Sequence, residues 1–215
     1  MKVDKTIATK NRTTTILDLE IPQTTSQETK TRIKNEVGEY LIEQILLSVG
    51  EAKSPLDGSR YQALSKDYKK FKQESGAPGV PNLDLEGDML SSLEYVELSG
   101  GKLELGVFGD QAPKADGHNN FSGKSKIPER RFLPGEGESF KSSIQKEVQG
   151  IVNEALAQEQ EINQDAFSEA SSSSTFYDAL MDQLGVQTRA EARSVVLRTP
   201  KWFDFVQRTG LIRWL

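Results

Sequence analysis

LSSLEYVELSGGKLELGVF, residues 90–108, decides the fold class. Leu103, Leu105 and Val107 alternate with Glu104 and Gly106, the period of a strand with one covered face. Leu90–Leu98 forms the second arm, and Gly100-Gly101 between them suits a two-residue hairpin turn. The pattern predicts two antiparallel strands, 90–98 and 103–108, that need something apolar to lie against.

That cover is legible on both sides. Upstream, Ile33, Val37, Leu41, Ile45 and Val49 recur at helical spacing, with Tyr40 and Ile42 widening the stripe. Thr25 and Glu28 read as a capping box and Gly50 as a stop. Downstream, Phe140, Ile144, Val148, Ile151 and Ala155 predict a second amphipathic helix over about 137–158. Its outer side is acidic, with Glu138, Glu147, Glu154 and Glu159. A small antiparallel sheet with a β-hairpin, packed against two long amphipathic helices, makes an α+β domain over 1–158. Ile16, Leu17, Leu19 and Ile21, ended by Pro22, predict a short edge strand or a pairing arm in a Thr-rich stretch. Ser65 caps a short helix bearing Tyr68 and Phe71, whose outer face carries Lys66, Lys69, Lys70 and Lys72. Residues 109–126 read as a polar loop.

Past the second helix the composition shifts. Residues 159–175 are polar, acidic and serine-rich, as in a linker. Residues 176–215 read as a short helical extension, basic and aromatic. Trp202, Phe203, Phe205, Arg208 and Trp214 are its candidate partner-docking residues, unless the segment folds back on its own domain.

The whole chain limits its chemistry. Among 215 residues, Lys+Arg number 27 and Asp+Glu 32, for a net charge of -5, so the chain as a whole is not built to bind nucleic acid. Cysteine is absent, which excludes disulfides, thiol catalysis and cysteine-held metals. No apolar run approaches the roughly 18 residues of a membrane span, and no membrane partner is expected. The N-terminus lacks the apolar core of a signal peptide. No G-x-S-x-G elbow, H-E-x-x-H, Walker loop or EF-hand spacing occurs. His118 is the lone histidine, and Asp84, Glu86 and Asp88 read as solvated acids before a strand. The expectation is a non-enzyme with no catalytic residue, no metal and no cofactor.

The unusual stretch is HNNFSGKSKIPERRFLPG, residues 118–135. Two prolines hold Ile127 and Leu133 extended around paired arginines. It reads as an edge strand or extended arm. Ile127, Pro128, Arg130, Arg131, Phe132 and Leu133 are the candidate subunit-interface residues, with Phe132 and Leu133 as apolar anchor. The arginines are suited to the acidic face of the 137–158 helix. On strand alternation Arg130 and Phe132 share a side and Arg131 faces away, so a buried Phe132 implies an exposed Arg131 and a partly buried, paired Arg130. The alternative is that Phe132 fills its own core.

Three stretches together resemble the virion-morphogenesis or tail-completion family of tailed phages, including those of the Mu and P2 type. In the first, Gly58, Tyr61, Leu64, Ser65 and Lys70 fit a Gly–aromatic–Leu-Ser pattern before a Lys-bearing helix. In the second, Gly87, Leu90 and Ser92 fit the turn that opens the hairpin. The third is the most specific: a His-bearing loop followed by Ile127, Pro128, Arg130, Phe132 and Leu133. The resemblance spans about residues 30–158, and the His118 to Gly123 spacing departs from the pattern, which leaves His118 without a role. It implies an α+β fold and a structural, non-enzymatic part in tail completion and head–tail joining. The implied partners are further copies of the chain, in a sixfold or twelvefold neck ring, and the connector, tail tube or tail terminator. The implied location is the virion neck or upper tail, and the host cytoplasm during assembly. A rival reading is a nucleic-acid-associated packaging or regulatory factor acting through the basic helices, although direct nucleic-acid binding is not expected. A hydrolase centred on His118 is the weakest alternative.

Overall fold

The structure, a computed structural model, describes residues 1–83 and 87–172, with side chains through 162. The elements in order are β1 (Lys2–Ala8), β2 (Arg12–Asp18), α1 (Gln27–Gly50), α2 (Lys66–Glu74), α3 (Asp88–Ser91), β3 (Leu93–Glu97), β4 (Lys102–Phe108), α4 (Ala112–Asn119) and α5 (Ser142–Ser172). The strands form one antiparallel sheet in the order β1-β2-β4-β3, so the fold is α+β. The chain divides into two compact units, Met1–Ala155 and Leu156–Leu215. Of the second, residues 156–172 are described, and they are helical.

The hairpin holds, with adjusted ends. Residues 88–91 make the helical turn α3, so the strand begins at Leu93, not Leu90. The connection is a 3-10 turn over Ser99–Gly101, with Gly100 at φ 68° and Gly101 at φ 78°. Both lie in the left-handed region that glycine enters at least cost.

Facing pairs fix the covered side. Thr13, Thr15 and Leu17 of β2 stand opposite Val107, Leu105 and Leu103 of β4, which in turn face Leu93, Tyr95 and Glu97 of β3. Leu17, Leu103, Leu105 and Val107 are fully buried. Helix α1 lies on this side and buries Ile33, Val37, Leu41, Ile45 and Val49 completely, each contributing about 1.5–3 kcal/mol of apolar burial. Gly38 sits against the Tyr95 ring, and the Lys34 ammonium contacts Glu97 at 2.8 Å and the Leu98 carbonyl at 3.2 Å. Arg32 donates to the Ala155 carbonyl, which ties α1 to α5. Phe140, Ile144 and Val148 of the second stripe are buried too.

Several expectations need correction. Residues 16–21 are not an edge strand: β2 covers Arg12–Asp18 and is internal, while the edge is β1. Thr13, Thr14 and Thr15 are fully buried, because Thr is β-branched and two of its hydroxyls find acceptors. Thr13 donates to the Ala112 carbonyl at 2.7 Å and Thr14 to Glu104 at 2.6 Å. Helix α1 is capped one residue later than predicted: Ser26 Oγ accepts the Thr29 N–H at 3.1 Å. The polar loop 109–126 contains α4. Pro113 pre-sets its first turn, and Ala112 and Ala115 press flat into the core, too small to show a periodic stripe. Helix α5 begins at Ser142, and Phe140, just before it, is buried and lines one small cavity with Val3, Leu17 and Pro134. It continues to Ser172 through most of the predicted linker, whose Glu, Gln and Ala favour helix. Residues 173–215, including Trp202, Phe203, Phe205, Arg208 and Trp214, lie outside the described residues.

Candidate assembly surface

Residues 127–135 form no strand. They run extended over the domain, and a side chain from α4 replaces the missing strand partner. Asn119, fully buried, accepts the backbone N–H groups of both Phe132 and Leu133 at 3.0 Å. Its own amide donates to the Ala115 carbonyl at 3.0 Å. One residue thus satisfies two main-chain donors that burial removes from water. The Arg130 N–H adds a bond to the His118 carbonyl at 3.1 Å, and the Tyr61 hydroxyl donates to the Arg131 carbonyl at 3.0 Å. Burial pushes the Tyr61 phenol well above its usual range.

This arrangement corrects the anchoring part of the interface expectation. Phe132 and Leu133 have no exposed surface. They grip the chain's own core and leave nothing apolar there for a neighbour. Ile127, expected with them as an interface residue, is 47% exposed, and Pro128 beside it is exposed as well. The surface of this stretch is therefore Ile127, Pro128, Glu129 and part of Arg131.

The two arginines differ in burial in the expected direction, but no strand sets their sides, and the expected pairing of Arg130 is not found among the described residues. Arg131 is half-buried and pairs within its own chain, with Glu129 at 3.1 Å and with Glu138. The other oxygen of Glu138 accepts the Gly135 N–H at 2.8 Å. Glu138 is on the predicted acidic face but precedes α5. Arg130 is 8% exposed, donates to the Gln62 carbonyl at 3.3 Å, and meets no carboxylate among the described residues. His118 ends α4 close by. Burial, then the charges of Arg130 and Lys114, lower its imidazole to about 4.

Two surfaces carry exposed apolar side chains. By register, Arg12, Thr14, Ile16, Glu104 and Val96 occupy the second face of the sheet, and every helix contact named above falls on the first. Glu104, expected half-exposed, is buried under Arg12 at 3.3 Å and Thr14 at 2.6 Å. Val96 on this face is 43% exposed. The edges of the sheet are β1, with exposed Lys2 and Lys5, and β3, with exposed Glu94. The second surface is α2, where Ser65 caps as predicted and Tyr68 and Phe71 are exposed with ring centroids 6.1 Å apart. Lys66, Lys69 and Lys70 are exposed beside them, but Lys72 is buried, reaching the Val80 carbonyl at 2.9 Å. The basic face is therefore smaller than the sequence suggests.

No group of three or more metal-ligating side chains occurs among the described residues, and no described helix is long and apolar enough to cross a membrane. Compared with known proteins, the chain matches no family model, no curated protein and no solved structure.

Proposed function

We propose that this chain is a structural virion protein of a tailed phage, acting in tail completion and head–tail joining as one subunit of a neck ring. The observation that carries the reading is a sheet with an unpaired strand at each side, β1 and β3. Unpaired edges are templates for another chain. Two free edges on opposite sides of one sheet suit head-to-tail contacts, the kind that close into rings. Ile127 and Pro128, both exposed, add a contact next to the buried arm. The motif resemblance supplies the setting in the virion. The ring meets further copies of itself, and the connector, tail tube or tail terminator.

Purified full-length chain should elute and weigh as a closed oligomer, alone or once a neighbouring neck protein is added. A species that stays at the 23.9 kDa monomer mass in both conditions contradicts the reading.

A second reading, direct nucleic-acid contact through α2, is favoured only by exposed Tyr68 and Phe71 among Lys66, Lys69 and Lys70. It requires DNA binding in a low-salt gel shift that weakens steeply as salt rises.

A further inference from the structure

Between α2, α4 and the start of the arm lies a cavity of about 70 Å³, lined by Leu64, Tyr68, Lys72, Pro81, Leu83, Lys114, His118 and Arg130. We propose that this cavity is a binding site for one small oxyanion of the phosphate class, held by Arg130, His118 and Lys114.

Arg130 is the central group of the cavity wall. A guanidinium always carries its charge, and burying it is costly without a counter-charge. Arg130 is 8% exposed, yet its side chain makes one bond, to the neutral Gln62 carbonyl, and no ion pair among the described residues. Its Nε is buried without a partner. Among the described residues, Glu129 is engaged with Arg131 and Asn120, and Asp116 with the Ser122 N–H.

His118 repeats the pattern. Its Nδ1 is also buried without a hydrogen-bond partner. Lys114 lies one turn earlier on α4 and stands at the exposed rim. Lys72 reaches the Val80 carbonyl and the Asn82 side chain, so it lines the wall and is not counted as a ligand. Tyr68 supplies a phenol at the same wall. The cavity thus gathers cationic and donor groups, and none of its lining residues among those described is a carboxylate. An oxyanion there would give Arg130 its missing counter-charge through charge-assisted bonds. It would also favour the protonated imidazole, reversing the effect of the flanking cations on His118.

The test uses the single histidine as its own reporter. His118 ring resonances of the full-length chain are followed by NMR while inorganic phosphate replaces chloride at fixed pH and ionic strength. The expected result is a saturable shift, with a rise in the His118 pKa. Lys114→Gln, an exposed position that leaves the core intact, weakens binding about tenfold, the effect of one lost charge-assisted bond. Arg130→Gln abolishes it. No saturable shift, or the same curve in wild type and Lys114→Gln, overturns the proposal. Oligomeric state does not enter this readout, so its outcome is independent of the ring assignment.

Discussion

The carboxamide oxygen of Asn119 sits 3.0 Å from the backbone nitrogen of Phe132 and 3.0 Å from that of Leu133. This fork joins the end of α4 to the arm and takes the place of a strand ladder. Asn119→Ala leaves two buried N–H groups unpaired, at about 1–3 kcal/mol each. Chemical denaturation should show a loss of about 2–5 kcal/mol. A loss under half a kcal/mol would mean that water replaces the side chain at no cost.

Phe132 and Ile127 lie five positions apart and should behave oppositely. Phe132 is fully buried, so Phe132→Ala should cost about 3–5 kcal/mol of stability. Ile127 is 47% exposed, and Ile127→Ala should leave monomer stability within about 0.5 kcal/mol. If the ring uses this surface, Ile127→Asp lowers the oligomer fraction at unchanged fold, read by circular dichroism together with native mass spectrometry.

Gly38 tests how closely α1 approaches the sheet. A Cβ at this position would stand 2.5 Å from the Tyr95 ring. Gly38→Ala should therefore destabilise by about 1–3 kcal/mol, despite the better helix propensity of alanine. With Tyr95→Ala in the background the clash is gone, and the same change should stabilise by about 0.5–1 kcal/mol. A cost that persists in the double variant would place the constraint elsewhere.

His118 gives a pH dependence of definite sign. Its ordinary value is 6.5 and the folded environment lowers it to about 4. Between these values the unfolded chain binds more protons, so stability rises with pH. The contribution is complete above 6.5 and is lost as pH falls toward 4. The groups facing the imidazole are Arg130 and Lys114, both cationic throughout the window. His118→Gln should flatten the stability profile between these pH values relative to wild type. Parallel profiles would show that His118 titrates alike in both states.

Much of the fold is readable because its signals are periodic. The α1 stripe from Ile33 to Val49 and the alternation of Leu103, Leu105 and Val107 each repeat over enough residues to stand above noise. What escapes is whatever small or polar side chains do. Helix α4 hides because Ala112 and Ala115 bury little area. The inner position of β2 hides because buried threonine and exposed threonine look alike until Ala112 and Glu104 appear as acceptors. At the arm, the constraint set by the prolines follows from backbone stereochemistry, but strand alternation does not apply, because residues 127–135 form no strand. The inward grip of Phe132 depends instead on Asn119, thirteen positions away, and nothing local singles that residue out. Glu104 and Lys72 are misplaced for a related reason. A charged residue reads as exposed unless its partners are known, and Arg12, Thr14 and the Val80 carbonyl are contributed by other segments.

The most direct measurement of the assembly role is electron microscopy of particles made without this chain. The account predicts full heads and finished tails lying separately, joined when purified protein is added back. Normally joined virions in its absence would contradict it.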